Sequence, residues 1–277
     1  MIAIVTIVAG VLGLLIGSFL NVVIYRVPAG KSIASPPSAC PNCGARVAGY
    51  DNVPVLSWLV LRGRCRSCAT PISARYPVIE LATGVAFAGV ALLFGHPVAV
   101  PSGAAGAASG LLVLVAFLYF AAISIALAMI DIDTHRLPNA IVLPSYLVAI
   151  VLFVASAVVS GEYTPLIRAG IAMAILFVAY FAMAFVYPAG MGLGDVKLAG
   201  VIGLYLGWTG WGALAVGAFA AFILAGLFAI VLIVSRRANR KSGIPFGPWM
   251  LIGAWFGVAI GNAVFDGYLR LFGLAAA

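Results

Sequence analysis

Eight times this chain runs apolar for roughly the length a helix needs to cross a bilayer, about 20 residues. A bilayer core offers the backbone no water, so each run satisfies its own peptide groups as helix. The spans are expected near 2–24, 77–95, 106–130, 139–160, 166–187, 196–208, 212–234 and 247–270. The sixth is short and glycine-rich, with Gly200, Gly203 and Gly207, and its loss would flip every later segment. Composition agrees: 8% of residues are charged, against about 25% in a soluble domain. An all-α, polytopic membrane fold of about eight transmembrane helices is predicted. The first span lacks a basic leader and runs straight into Asn21 and Arg26, so it reads as retained rather than cleaved.

The net charge of +8 is a matter of position, not of affinity for nucleic acid. With eight spans, one set of loops holds Arg26, Lys31, Arg46, Arg62, Arg64, Arg66, Arg75, Arg136, Lys197, Arg236, Arg237, Arg240 and Lys241. The opposite set holds only Arg168 and Arg270. That asymmetry predicts that the first set faces the cytoplasm and that both termini face outward. Three parts follow: a first helix at 1–25, a cytoplasmic loop at 26–76, and a seven-helix membrane domain at 77–277. The stretch from Pro101 to Gly110 reads as a loose outer loop.

The chain has only seven acidic residues, and a carboxylate beside a span is costly unless it faces water, a partner or a cavity. Two clusters stand out. Gly190-Met191-Gly192-Leu193-Gly194-Asp195-Val196-Lys197 breaks an apolar stretch with three alternating glycines, a carboxylate and a lysine. Asp131-Ile132-Asp133-Thr134-His135-Arg136 closes another apolar run. Both fall on the predicted cytoplasmic boundary, so Asp195 and Asp131 form a candidate catalytic pair. Two carboxyls sharing a site cannot both ionise cheaply; one activates water while the other donates its proton to a carbonyl oxygen. The competing reading makes them helix-end residues, either in solvent or in local salt bridges with Arg136 and Lys197. Asp133 lies two residues from Asp131 and therefore on a different helix face; periodicity does not choose between them.

The long polar loop carries every cysteine, as Cys40-Pro41-Asn42-Cys43 and Cys65-Arg66-Ser67-Cys68. Two CxxC pairs resemble a zinc ribbon. Four thiolates complete a tetrahedral zinc site with no open position for water, so the metal would be structural. Disulfides rarely persist in the cytoplasm; redox-active thiol pairs are the other reading. Glu80, just after Arg75-Tyr76-Pro77, reads either as facing a cavity or as pairing with an arginine.

Gly192-Leu193-Gly194-Asp195 resembles the GxGD signature of intramembrane aspartyl proteases. Asp131, followed after six intervening residues by Pro138-Asn139, is similar to the first aspartate motif of bacterial type IV prepilin peptidases. Further likeness lies in Gly17-Ser18-Phe19-Leu20-Asn21, Asp51-Asn52-Val53-Pro54, Arg75-Tyr76-Pro77 with Glu80, and Pro245-Phe246-Gly247-Pro248. The resemblance selects Asp131 over Asp133 and leaves Asp133, Gly192, Gly194, Lys197 and Glu80 as supporting residues. It implies cleavage of the leader from type IV prepilins and type II secretion pseudopilins at the cytoplasmic face of the inner membrane. It also implies N-methylation of the new terminus from S-adenosylmethionine, with methyl-transfer residues centred on the cysteine loop and Glu80. Two other classes compete: an ion-coupled transporter with intramembrane carboxylates, and a non-catalytic pilus or secretion assembly protein.

Overall fold

The computed structural model describes residues 1–187, 190–237 and 243–274. Arg240 and Lys241, counted above among the cytoplasmic cations, lie outside the described residues. The described chain is helical, and its only β pairing is two isolated bridges, Ala39 with Arg46 and Arg64 with Pro71. In order come α1 (Ile2–Arg26), a 3₁₀ turn (Gly49–Asn52), α2 (Leu56–Val60), α3 (Arg75–Phe94), α4 (His96–Ala99) and α5 (Ala104–Thr134). They are followed by α6 (Asn139–Ser160), α7 (Thr164–Val186), α8 (Leu193–Thr209), α9 (Trp211–Val234) and α10 (Gly247–Phe256). A π-turn at Gly257–Gly261 then leads into α11 (Asn262–Leu271).

Among the described residues seven helices have the length and apolarity to cross a membrane; α10, the π-turn and α11 together make the last of them, Gly247–Leu271. The protein is a multi-pass membrane protein. The remaining apolar run, the sixth, is α8, whose 17 residues rise about 25 Å, short of a hydrocarbon core of about 30 Å. The expected outer loop is corrected in part: helix begins at Ala104, because the alanine-rich stretch after Gly103 continues into the apolar run without a proline, and alanine favours helix despite Gly106 and Gly110.

The chain gathers into two compact units, Met1–Ala126 and Leu127–Ala277. In the first, α1 lies directly on α3. A Cβ at Gly13 would sit 2.7 Å from the Thr83 carbonyl oxygen, and one at Gly17 the same distance from the Glu80 Cα. Small residues replace the hydrophobic effect as the basis of helix association in lipid, because they let backbones touch.

The second unit is built around α8. Leu198–Gly207 is buried without a break, as expected of a helix apolar on every side. Gly203 and Gly207 bring α7 to backbone contact, near Ala172 and Ala169. Arg168 reaches from α7 to donate to the carbonyls of Gly207 (2.5 Å) and Trp208 (2.7 Å), satisfying the end of α8. Asn262 clips the next turn: its Oδ1 accepts the Ala213 N–H at 3.0 Å, and its Nδ2 donates to the Thr209 carbonyl at 3.2 Å.

Candidate functional sites

The carboxylate site is assembled from helix ends in the second unit. Asp131 sits near the end of α5 and is only 5% exposed. The chain turns immediately afterwards: the His135 N–H closes on the Asp131 carbonyl at 2.8 Å, and His135 adopts a left-handed φ of 52°. The Asp131 carboxylate is anchored far away in sequence. Its Oδ2 accepts the Gly247 N–H at 3.0 Å, and Gly247 is the first residue of α10. The first N–H groups of a helix lack internal partners and carry positive partial charge, so they suit a carboxylate.

Asp195 is held in the same way at its own helix. It is the third residue of α8, and its Oδ2 accepts the N–H of Gly192, the residue capping that helix, at 3.1 Å. The carboxylate therefore closes the first turn of α8 as the acidic half of a capping box. Among the described residues, neither carboxylate's Oδ1 accepts a protein hydrogen bond. Leu137 braces both anchors: its side chain lies 3.1 Å from where a Gly194 Cβ would stand and 3.3 Å from where a Gly247 Cβ would stand. The Asp131 carboxylate adds to the electrostatic environment of Asp195, behind burial and the Gly192 N–H.

The supporting residues divide. Asp133 is exposed at the end of α5, on the face away from Asp131. Gly192 caps α8 and Gly194 makes room for Leu137. Lys197 does not pair with Asp195; its Nζ donates to Asn139 Oδ1 at 3.0 Å, and its carbonyl accepts the Tyr146 hydroxyl at 2.6 Å. These bonds join the starts of α6 and α8. Sequence reasoning assigned no role to Gly247, although its Pro-Phe-Gly-Pro setting was visible. Nor did it find Tyr180, a buried residue that also feels the Asp195 charge and clusters with Phe222 and Phe246 at ring distances of 5.3–6.3 Å.

The cysteine site belongs to the first unit. Two matching knuckles form it: the Gly44 N–H donates to the Cys40 carbonyl and the Ala69 N–H to the Cys65 carbonyl, each at 2.9 Å. Both knuckles end in a left-handed residue, Gly44 at φ 71° and Ala69 at φ 55°. The four Sγ atoms lie within 4.8 Å of one another, with Cys40 and Cys68 3.7 Å apart. Tetrahedral zinc with bonds of about 2.3 Å places its thiolates about 3.8 Å apart, so the cluster fits that ion. The cluster is polarised. The Thr70 hydroxyl and backbone N–H hold the Cys68 thiol down to about 6. The Ala45 N–H also lowers Cys43, but hydrogen bonding with Cys68 and the other thiols outweighs it and pushes that thiol up to about 11. A divalent cation would draw all four to the thiolate form.

Around the cluster, the Arg66 guanidinium forks onto Asp51 with contacts of 2.5–3.1 Å and lies over the Tyr50 ring. Trp58 Nε1 donates to the Ile72 carbonyl at 3.1 Å. Glu80, on α3, is bonded to no arginine among the described residues. Its Oε2 accepts the Val55 N–H at 2.7 Å.

A multi-pass membrane protein with helix-end carboxylates and a tetrathiol knuckle pair falls in the class of membrane-embedded aspartyl peptidases, the class its family match gives. The chain belongs to the type IV leader peptidase family. The model of that family matches residues 117–234, and that of the bacterial peptidase A24 N-terminal domain matches residues 11–94. A prepilin leader peptidase/N-methyltransferase of Burkholderia pseudomallei (strain 1026b) is 35% identical over 88% of this chain and 81% of its own length. Proteins of the same name from Stutzerimonas stutzeri (32% identical; 94% and 92% covered) and Neisseria gonorrhoeae (34%; 89% and 87%) are similar throughout. No solved structure matches the chain.

Proposed function

We propose that this chain cleaves the leader from type IV prepilins and then methylates the newly exposed N-terminal amine, with type II secretion pseudopilins as further substrates. The observation that carries the reading is the pair Asp131 and Asp195, each tied by Oδ2 to a glycine N–H at a helix start, within a chain of this family. The carboxylates share one proton. The ionised member takes a proton from water as the oxygen attacks the scissile carbonyl, and the protonated member donates to the carbonyl oxygen. The pair titrates as a unit, so base and acid are roles of the pair rather than of either residue. Anchoring through Oδ2 fixes the carboxylate planes and leaves Oδ1 of each for water and substrate.

Cys40, Cys43, Cys65 and Cys68 would hold structural zinc, whose chemistry is to cross-link the two knuckles. S-adenosylmethionine is the methyl donor and enters as a substrate. The one-sided distribution of Lys and Arg supports an inner-membrane protein with its active site toward the cytoplasm, and residues 26–76 as a cytoplasmic methyltransferase-associated loop. Bilayer lipid is then a constant partner; the basic charge serves that surface and not nucleic acid. A transporter would distribute its carboxylates along a path through the bilayer, whereas these two sit at helix ends. Purified protein with a synthetic prepilin and S-adenosylmethionine, followed by mass spectrometry, tests both reactions. Leader loss and one added methyl group are expected; an intact prepilin would refute the reading.

A further inference from the structure

Methyl transfer onto an amine has a requirement that peptide hydrolysis lacks. An α-amino group titrates near pH 7.7–8.0, so below that it is mostly an ammonium with no lone pair to attack a methyl donor. Something must take the proton. In the first unit Glu80 is the one buried carboxylate among the described residues, at 9% exposure. Buried carboxylates are ordinarily paired with a cation. Among the described residues no cation is bonded to Glu80, and its Oε2 accepts the Val55 N–H. Its Oε1 accepts no bond from the described residues.

The surroundings hold that carboxylate in place. Val55 presents its N–H from φ 61°, ψ −50°, a conformation that a β-branched residue adopts only when its neighbours enforce it. Gly17 lets α1 run across the Glu80 backbone, where a Cβ would stand 2.7 Å from the Glu80 Cα and 3.0 Å from Thr83 Oγ1. The Thr83 hydroxyl is committed to the Ile79 carbonyl at 2.7 Å. The neighbouring elements thus supply a backbone N–H from the Val55 turn and a glycine from α1, and among the described residues no ionisable side chain bonds to the carboxylate.

We propose that Glu80 seats the N-terminal ammonium of the cleaved substrate and accepts its proton at Oε1, making the amine a nucleophile for the methyl donor. This rests on the reading of the chain as an N-methyltransferase. The ammonium gives one proton to the carboxylate, leaving neutral amine and carboxylic acid. The amine lone pair then forms the N–C bond as the C–S⁺ bond of the sulfonium donor breaks, its electron pair staying on sulfur. The products are a methylated ammonium and a neutral thioether, and Glu80 returns its proton to water.

The test uses the full chain in detergent, a synthetic peptide with the mature N-terminus, and S-adenosylmethionine. Glu80→Gln keeps the side-chain length and an oxygen for the Val55 N–H. Methyl-transfer kcat should fall on the order of 100-fold or more below the amine's pKa, the usual worth of a positioned base. The deficit should shrink as pH rises and solvent deprotonates the amine, while zinc content and the rate of leader cleavage from intact prepilin are retained. Glu80→Asp should keep the wild-type pH profile at reduced kcat. Equal, pH-independent losses of methylation and cleavage, or loss of zinc, would make Glu80 a fastening for the Val55 turn and overturn the proposal. A defect confined to the KM of S-adenosylmethionine would overturn it in favour of a donor seat. Wild-type protein that cleaves but never methylates would refute the methyltransferase reading itself, and this role with it.

Discussion

Gly247→Ala is the sharpest probe of the carboxylate site, because the geometry fixes both direction and size of its effect. A Cβ there would stand 2.7 Å from Asp131 Oδ2 and 3.3 Å from Leu137 Cδ2. Carbon and oxygen in comfortable contact are about 3.4 Å apart or more, so the carboxylate must retreat by more than about half an ångström. The Gly247 N–H bond, now 3.0 Å, would then lengthen beyond hydrogen-bonding range. A hydrogen bond to a charged group contributes about 1.5–3 kcal/mol, and each 1.36 kcal/mol is tenfold in rate, so kcat for leader cleavage should drop about 10- to 150-fold. The assay is single-turnover cleavage of a synthetic prepilin by purified protein, with helix content and melting temperature checked alongside. Gly267→Ala is the control. It lies on α11 with nothing within 4 Å of its would-be Cβ, and it should cleave as the wild type does. Wild-type cleavage by Gly247→Ala would mean that the anchor does not orient Asp131 for chemistry.

Either Asp131→Asn or Asp195→Asn should abolish cleavage with membrane insertion intact, whereas the exposed Asp133→Asn should retain activity; a dead Asp133 variant with a live Asp131 variant reverses the assignment. Replacing Cys40 and Cys43 together with serine should release zinc, measured by elemental analysis, and lose methylation more completely than cleavage. The Arg66 guanidinium holds the Asp51 carboxyl below its ordinary range. A depressed carboxyl stabilises the fold above its unfolded pKa of about 3.9 and loses that contribution as pH falls through the folded value. The folded state should therefore lose less of its stability below about pH 4 in Asp51→Asn than in wild type, as read by Trp58 fluorescence in a variant with the other tryptophans replaced.

Most of the helical frame was legible because hydrophobicity is a local quantity. Every apolar run became a helix, with ends displaced by a few residues. The cysteine knuckles were legible for a similar reason: each pair spans four residues and closes its own turn on a left-handed residue. What escaped was long-range. The Asp131–Gly247 bond joins residues 116 apart, and nothing near either residue announces the other. Lys197 illustrates the opposite error. Two positions from Asp195 it invites an ion pair, but side chains at that spacing leave a helix in different directions, and it bonds to Asn139 instead. Val55 gives no sign in sequence of its positive φ, since β-branched residues avoid it and only the surrounding contacts enforce it.

The two aspartates lie on different helices, yet each is held by a glycine N–H at the start of a helix and no cation bonds to either carboxylate among the described residues. A lysine or arginine partner would neutralise the anion and oppose proton sharing between the pair. A helix N-terminus supplies only a partial positive charge, enough to fix a carboxylate oxygen without removing its capacity to take up a proton. The glycines follow from that choice. At position 247 a side chain would strike the carboxylate itself, and at 194 it would press on Leu137, which braces both anchors. On the proposed function, the glycines preceding Asp195 and the Pro-Phe-Gly-Pro segment near the last span serve one purpose, the close approach of a helix-start amide to a carboxylate that must gain and lose a proton.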